Sequence, residues 1–524
     1  MLSVSSKRFL LYFVIIWIAL GIWTYTNAKD DFESEEEQDR IYRKVRLFNE
    51  ILFKLNDNYV TEIPIDSLLD AAIDGMLKKV DPHTHYFNSS DFDFFRSDTE
   101  GEFEGLGISI DKQGGYITVI APIEDTPAFN AGILAGDKIA VVDGKNIKGF
   151  STDEAIELMR GKKGTPVELS IIRPGIEKPL DFILIRDVIK IRSVSYSFML
   201  EDNIGYIRIR SFNANASDDL RQALKKLEPS NPHGYIIDLR YNPGGLLEEA
   251  VETVNEFIGI DKRVVFTKSR EEENNREYIT QRKVEPPGYP IIVMIDHATA
   301  SAAEIFAGTL QDYDSALIIG EESFGKGSVQ QLFPLSQGGI KITTSKYYIN
   351  SGRCIHKSEA DRLESRFNRS KSQPDSTEVF YTLNGRKVFG GGGIMPDIIL
   401  EPDTLSLLEQ KLRMENAFFS YAVEYYADNG NDVDGNFEVD EKILASFEKY
   451  LTERDIKIDE LSWQESISWI KNRLHAEIAG KKAGTEVTYR IRLELDNQLQ
   501  QAMEIFRKYK TLEEMFEYAN QIRK

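Results

Sequence analysis

Two residues have the type and the setting for covalent chemistry. Ser301 lies in Ile291-Ile-Val-Met-Ile295-Asp296-His297-Ala298-Thr299-Ala300-Ser301-Ala302-Ala303-Glu304. The aliphatic run predicts a strand, the small residues a tight turn, and Ser301 the head of a helix. A helix N-terminus presents unpaired N–H groups and a partial positive charge. Both favour an attacking alkoxide and the oxyanion it creates, and the N–H of Ala302 can donate to that oxyanion. Read by itself, a serine here is more often a plain N-cap. Lys326 lies in Gly320-Glu-Glu-Ser-Phe-Gly325-Lys326-Gly327-Ser328-Val329-Gln330. The spacing imitates a phosphate-binding P-loop. However, Gly327 stands where Ser or Thr would hold magnesium, and Val329–Phe333 predicts a strand where that loop needs a helix. A lysine between glycines and aliphatic strands can instead be buried. Burial disfavours its ammonium form, lowers its pKa and makes it a usable general base.

Other constellations carry less. His297 invites a Ser-His-Asp triad, but neighbours on one turn rarely orient that way; a turn or surface histidine is expected. His83-x-His85 lacks the carboxylate or cysteine spacing that would complete a zinc site. Asp432-x-Asp434-Gly435 with Glu441 imitates a calcium loop, yet Gly430 stands at its first ligand position. A polar turn before a helix starting near Asp440 is expected there. Arg173 is expected as a solvated edge charge on a strand. Cys354 is the one cysteine, which rules out an intrachain disulfide and any multi-cysteine metal site. It is expected to fill a small packing position. No cofactor and no metal site is expected.

These residues need elements to hold them. The chain has 524 residues, enough for three or four domains. Its 41 % hydrophobic content supports real cores and excludes global disorder. With 85 acidic and 64 basic residues the net charge is −21, which argues against a general nucleic-acid binder or a surface drawn to anionic lipid. Residues 36–98 predict helices, with Ile41, Val45, Phe48, Ile51 and Leu55 at helical spacing. Residues 101–186 hold short β-rich runs between Gly and Asp turns, with one helix near 152–160. Residues 190–402 alternate strands and helices in the manner of parallel βαβ units. A polar stretch near 357–376 there predicts a mobile inserted loop. Residues 403–524 predict a C-terminal helical domain, with Trp463, Ile467, Ile470 and Leu474 on one buried face.

At the N-terminus, Lys7 and Arg8 precede the uncharged apolar run Phe9–Tyr25, and acidic residues follow. As a helix the run spans about 26 Å, just short of a hydrocarbon core of about 30 Å. Positive before and negative after predicts an inside N-terminus and an exported bulk. Residues 1–28 are expected to anchor the chain in the inner membrane, facing the periplasm. Thr26-Asn27-Ala28 keeps removal as a signal peptide open, which would release the chain into the periplasm.

Two resemblances sharpen the reading. Glu104-Gly105-Leu106-Gly107-Ile108, Ile133-x-x-Gly136-Asp137-x-Ile139 and Val141-Val142-Asp143-Gly144 resemble a PDZ domain over 101–186. That implies a loop at Gly105, Leu106, Gly107 and Ile108 whose N–H groups bind a peptide's terminal carboxylate while the peptide adds a strand. The Ser301 and Lys326 segments, with this module upstream, resemble the C-terminal processing peptidases, the tail-specific Ser–Lys proteases of family S41. Asp81-Pro82-His-Thr-His-Tyr86, Asp238-Leu-Arg240-Tyr-Asn242-Pro-Gly244-Gly245 and Gly393-Ile394-Met-Pro396-Asp397 resemble further blocks of that family. The match runs over roughly residues 40–402. His83 and His85 depart from the usual residues.

The resemblance implies a multidomain α/β fold with a crotonase-like (ClpP/crotonase) protease core and an inserted PDZ domain. It implies Ser301 as nucleophile, Lys326 as general base and Gln330 as the residue that orients the lysine. It implies an oxyanion hole from Ala302 and from Gly244 or Gly245, the choice between the glycines being open. Substrates would be exported proteins with free apolar C-termini. An adaptor protein or a second copy would dock on the C-terminal helices, and nucleic acid is not a partner. The alternative is a non-catalytic PDZ-bearing scaffold with an idle protease fold.

Overall fold

The computed structural model describes residues 37–357, 378–433 and 437–522. The anchor or leader expected over 1–28 and the inserted loop expected near 357–376, Lys357 apart, lie outside them. The chain divides into two compact units, one running to Tyr86 with Ile340–Ile342 and one holding the rest. In the first, residues 37–58 and Ile65–Leu77 are helical. Leu52 and Leu77 are buried, while Ile41, Val45, Phe48, Ile51 and Leu55 are exposed.

The second unit begins with a small antiparallel sheet. Its strands β1 (Ile108–Gln113), β2 (Tyr116–Pro122), β3 (Lys138–Val142), β4 (Pro166–Ile172) and β5 (Leu180–Ile185) lie side by side in that order. Val167, Leu169 and Ile171 alternate inward along β4, the period of two that a half-buried strand requires. Asp143 and Gly144, both at positive φ, turn β3 back on itself, as Asp-Gly favours. Helix α1 (Thr152–Met159) opens with a Ser151/Glu154 capping box and packs against β1. Strand β1 pairs with β2 alone and so forms one edge of the sheet. Arg173 is not a solvated edge charge. It donates two hydrogen bonds of 2.7 Å to the buried carboxylate of Asp137, which also accepts from the N–H of Leu134. A bidentate guanidinium thus fixes the Gly136-Asp137 turn.

The main sheet is built from β6 (Val194–Met199), β7 (Ile204–Ile209), β8 (Gly234–Asp238), β10 (Ile291–Ile295), β11 (Leu317–Gly320) and β14 (Ile398–Ile399), in that spatial order. All neighbours are parallel except β6 and β7. Every residue of β8 and β10 is buried, as expected of parallel strands covered on both faces. One face carries α2 (Ala216–Leu227), α3 (Leu247–Ile258) and α4 (Ala302–Asp312). Helix α4 is buried at every position because a second layer closes over it. Val264 and Val265 of β9 (Arg263–Ser269) and Tyr347 and Ile349 of β13 (Gly339–Ile349) share its core, and Ser345–Ile349 pair antiparallel with β9. Strand β12 (Ser328–Pro334) follows Lys326.

The helices past 403 divide between two cores. Helices α5 (Leu407–Met414), α6 (Ala417–Asn429), α7 (Glu441–Thr452) and α8 (Glu460–Ala483) close around Leu412, Phe418, Phe447, Trp463 and Leu474. After α9 (Thr485–Leu493), α10 (Asn497–Lys508) and α11 (Leu512–Ile522) return to the main sheet. Leu499, Met503, Phe506 and Met515 cover the face that Ile236, Ile292, Met294 and Ile319 present. A Cβ built on Gly136 would lie 2.5 Å from Val423, so the Gly136-Asp137 turn rests on α6.

Candidate active site

Two turns at the carboxyl ends of neighbouring parallel strands are stitched together. After β10, Asp296 Oδ1 accepts the N–H groups of Ala298 (3.1 Å) and Thr299 (2.9 Å) from its own turn, and that of Tyr241 (2.9 Å) from the turn after β8. The Thr299 hydroxyl donates to the Leu239 carbonyl at 3.0 Å, and Ala300 N–H to the Asn242 carbonyl at 2.9 Å. Asn242 in turn accepts the Gly244 N–H on Oδ1 at 2.8 Å.

Ser301 heads α4 as the strand–turn–helix pattern predicts, in an uncommon conformation. Its φ is 56° and ψ −119°, a region that costs a non-glycine residue about 1–3 kcal/mol. A Cβ built on Gly244, at φ 98°, would lie 2.6 Å from the Ser301 Cβ and 2.9 Å from the Ala302 nitrogen. The Gly244-Gly245 turn therefore sits directly against Ser301 and the first N–H of α4, and only glycine fits there. The Gly244 N–H is engaged by Asn242, whereas those of Gly245 and Ala302 have no acceptor among the described residues.

Lys326 is brought to the same place by Glu304. That side chain is 0 % exposed. Its Oε2 accepts the N–H of Ser301 and the N–H of Lys326, each at 2.8 Å. One oxygen thus holds both main-chain nitrogens within twice that distance of each other. Its Oε1 accepts the Ser323 hydroxyl at 2.5 Å and the Gly325 N–H at 2.7 Å. Burial pushes the Glu304 carboxyl upward, and the four donors oppose that. Tyr347 supplies a second tie, its hydroxyl donating to the carbonyls of Ser301 (3.2 Å) and Lys326. Burial holds this phenol well above its ordinary range. The Gly393-Ile394 segment closes the loop from behind, since Ser323 Oγ accepts the Ile394 N–H at 2.6 Å.

Gln330 is on β12, and its amide nitrogen donates to Ser328 Oγ at 2.8 Å and Ser328 O at 3.2 Å. His297 is half-exposed and pairs with Glu321 at 3.1 Å. Cys354 is half-buried, and burial pushes its thiol up. Gly105 ends a short strand that pairs with Asp187–Lys190 outside the small sheet, Leu106 is buried in that sheet's core and Ile108 packs against the core. Gly107 has φ 77°, and a Cβ there would meet Thr126 at 2.4 Å. The carbonyls of Leu106 and Gly107 accept the N–H groups of Ala128 (3.0 Å) and Ile123 (2.8 Å). Their own N–H groups have no acceptor among the described residues. No group of three or more His, Cys, Asp or Glu among the described residues could hold a metal ion.

Glu304 and Tyr347 are the residues that spacing alone does not assign. Glu304 had a signal, because Ser301-x-x-Glu304 is the pattern of a helix capping box. Tyr347 had none, being one aromatic in a β-rich run.

Comparison with known proteins follows the same segments. Peptidase family S41 matches residues 203–362, a PDZ domain matches 105–184, and a family of unknown function, DUF8443, matches 408–484. The carboxy-terminal-processing protease of Bartonella bacilliformis is 41 % identical, the alignment covering 61 % of this chain and 74 % of that one. The carboxy-terminal processing protease CtpA of Bacillus subtilis is 33 % identical over 67 % of this chain and 75 % of that one. The solved photosystem II D1 C-terminal processing protease aligns with 26 % identity and a TM-score of 0.35, covering 68 % of this chain and 88 % of that one. With its PDZ domain and its mixed α/β core, the chain belongs to the carboxy-terminal processing proteases of peptidase family S41, which are serine peptidases.

Proposed function

We propose that the protein cleaves exported proteins after capturing their free C-termini, with Ser301 as nucleophile and Lys326 as general base. One observation carries this reading: a single carboxylate oxygen of Glu304 holds the main chain of both residues. Neutral Lys326 takes the Ser301 hydroxyl proton as Oγ attacks the scissile carbonyl carbon. The oxyanion is received by the N–H of Ala302 and the N–H of Gly245, since that of Gly244 is engaged by Asn242. The tetrahedral intermediate collapses, the C–N bond breaks, and the Lys326 ammonium returns its proton to the leaving amine. Water then attacks the acyl-enzyme with Lys326 again as base, and the ammonium returns that proton to Ser301 Oγ as the ester C–O bond breaks and the new carboxyl terminus leaves. Gln330, anchored through its amide nitrogen on Ser328, offers its carbonyl oxygen to the ammonium. The base must be neutral, so turnover falls toward acidic pH.

Capture is assigned to the loop Gly105-Leu106-Gly107-Ile108. Its unengaged N–H groups suit a terminal carboxylate, and the free edge of β1 suits an added strand. Tails ending in small or apolar residues fit a site beside Leu106 and Ile108. The core is read as crotonase-like. Residues 1–28 are read as an inner-membrane anchor, or a cleaved signal, that puts the catalytic part on the periplasmic side. No helix among the described residues is long and apolar enough to cross a membrane. An adaptor or a second copy is assigned to the helical domain, where Leu407, Met414 and Leu461 are exposed.

The test uses an unfolded protein with an apolar C-terminus. The wild type is expected to cleave it, and Ser301→Ala and Lys326→Ala to leave it intact. Equal cleavage by all three eliminates the dyad. Binding without cleavage by the wild type would make the protein a scaffold. Amidating the substrate's terminus is expected to abolish capture, and undiminished turnover would refute the carboxylate role of the loop.

A further inference from the structure

The turn that carries Gly244 is also held from far along the chain. Asp238 closes β8 with a fully buried carboxylate. It accepts the Tyr206 hydroxyl at 2.8 Å, the Arg240 main-chain N–H at 2.9 Å, and the guanidiniums of Arg208 and Arg240 at 2.7 Å each. The other side of the Arg240 fork faces the start of α10. Its Nη2 donates to Asp496 Oδ2 at 2.7 Å, and its Nη1 to Asp496 Oδ1 at 3.1 Å and Gln498 Oε1 at 2.9 Å. Asp496 is itself fixed, because Oδ1 caps α10 by accepting the Leu499 N–H at 2.9 Å. Gln498 is fixed by donating to the Leu400 carbonyl at 3.0 Å.

The path onward to Ser301 is short. Two residues after Arg240, the Asn242 amide donates to the Ile209 carbonyl at 2.9 Å and accepts from Gly244, and the Asn242 carbonyl accepts from Ala300. A rotation of residues 240–242 would therefore shift the oxyanion turn against the nucleophile. Attachment of α10 does not need the ion pair. Leu499, Ala502, Met503 and Phe506 already bury that helix on the sheet, and Arg507 pairs with Glu201 and Asp202. A buried ion pair adds little net stability over an apolar replacement, but a bidentate one fixes geometry.

We propose that Asp496, through Arg240, is a positioning residue that sets the Gly244-Gly245 turn against Ser301. This rests on the Ser301 reading above. A slight displacement of an oxyanion donor weakens transition-state binding while leaving substrate binding intact.

Asp496→Asn keeps an acceptor that can cap α10 and removes the charge. Its kcat is expected to fall about tenfold or more. KM should stay within about twofold, while a peptidyl boronate, which mimics the tetrahedral intermediate, loses affinity by about the factor lost from kcat. Asp403→Asn is the control. Asp403 accepts the Asn497 N–H at 3.3 Å at the same end of α10 without touching Arg240, so its loss should leave all three values at wild type. If Asp496→Asn does not fold, Gln498→Met removes one acceptor of Arg240 and should show the same split, smaller in size. Wild-type cleavage that Ser301→Ala abolishes secures the underlying reading. Against that background, wild-type kcat and boronate affinity in the folded variant overturn this inference alone. So does a fall in kcat with no loss of boronate affinity, the mark of a merely structural role.

Discussion

Replacing Glu304 by glutamine tests the anchor from which Ser301 and Lys326 both hang. The carboxylate accepts four hydrogen bonds, two on each oxygen. Glutamine keeps the shape, but only one of its two ends accepts. If its oxygen faces Ser323 and Gly325, its NH2 confronts the N–H groups of Ser301 and Lys326, donor against donor. In the flipped amide the Ser323 hydroxyl can rotate and accept from the NH2, but the Gly325 N–H is left donor against donor. Hydrogen bonds to a charged group contribute about 1.5–3 kcal/mol each and neutral ones about 1 kcal/mol, so one lost outright and three weakened amount to about 3–6 kcal/mol. Burial already disfavours this charge, and removing it returns part of that, leaving a net loss of about 3 kcal/mol. Local opening around residues 323–326 then becomes roughly a hundredfold more frequent. Native-state hydrogen exchange on peptides spanning Ser301 and Lys326 reads that change. Turnover of an unfolded substrate should fall by at least the same factor, because the proposed nucleophile and base lose their shared support. Wild-type exchange in both segments together with wild-type turnover would show that Glu304 is not their shared anchor.

Three further outcomes follow from the same geometry. Asp238→Asn leaves two partly buried guanidiniums one charge short and should destabilise by about 3–5 kcal/mol near neutral pH. Burial alone would raise the Asp238 carboxyl, but Arg208 and Arg240 outweigh it and hold the group well below the usual range. Its contribution is therefore complete above the unfolded value of about 3.9 and is lost only as pH falls through the lower folded value. Denaturation of both proteins across pH should show a constant gap down to about pH 4 that closes in stronger acid. Tyr347→Phe leaves the carbonyls of Ser301 and Lys326 without the phenol donor. It should cost about 1–3 kcal/mol and lower kcat. The shape of the pH–rate profile should not change, since the buried phenol stays protonated; a shifted profile would mean that Tyr347 transfers protons. Gly244→Ala puts a methyl group into the Ser301 Cβ at a φ of 98°. Turnover should vanish while binding of a C-terminal peptide, followed by fluorescence polarisation, stays at wild type.

What the sequence discloses here is local. The strand–turn–helix around Ser301, the glycine pair at 244–245 and the Gly105–Ile108 loop are all legible because each is a short run whose residue types dictate backbone conformation. Long-range pairing is not legible in that way. Nothing near Arg240 in the chain announces Asp496, and nothing near Arg173 announces Asp137, because side-chain partners are chosen by the fold. The helices after 403 show the same limit from another side. Their periodicity reveals a face to be buried without saying against what, so α5–α8 and α10–α11 look alike although one set makes its own core and the other covers the sheet. Glu304 falls between these cases, since its spacing from Ser301 marks a helix cap while its contact with Lys326 depends on the loop that comes back to it.

The covering of the sheet by α10 and α11 bears on how the chain is made. A ribosome delivers Ser301, Lys326 and every strand of the main sheet well before residues 497–522 emerge. Until then, Ile236, Ile292, Met294 and Ile319 lack the cover of α10 and α11, and Arg240 has Asp238 but not its second carboxylate, Asp496. A half-synthesised molecule thus carries Ser301 and Lys326 but neither a finished floor beneath the sheet nor protection from sticking to its neighbours.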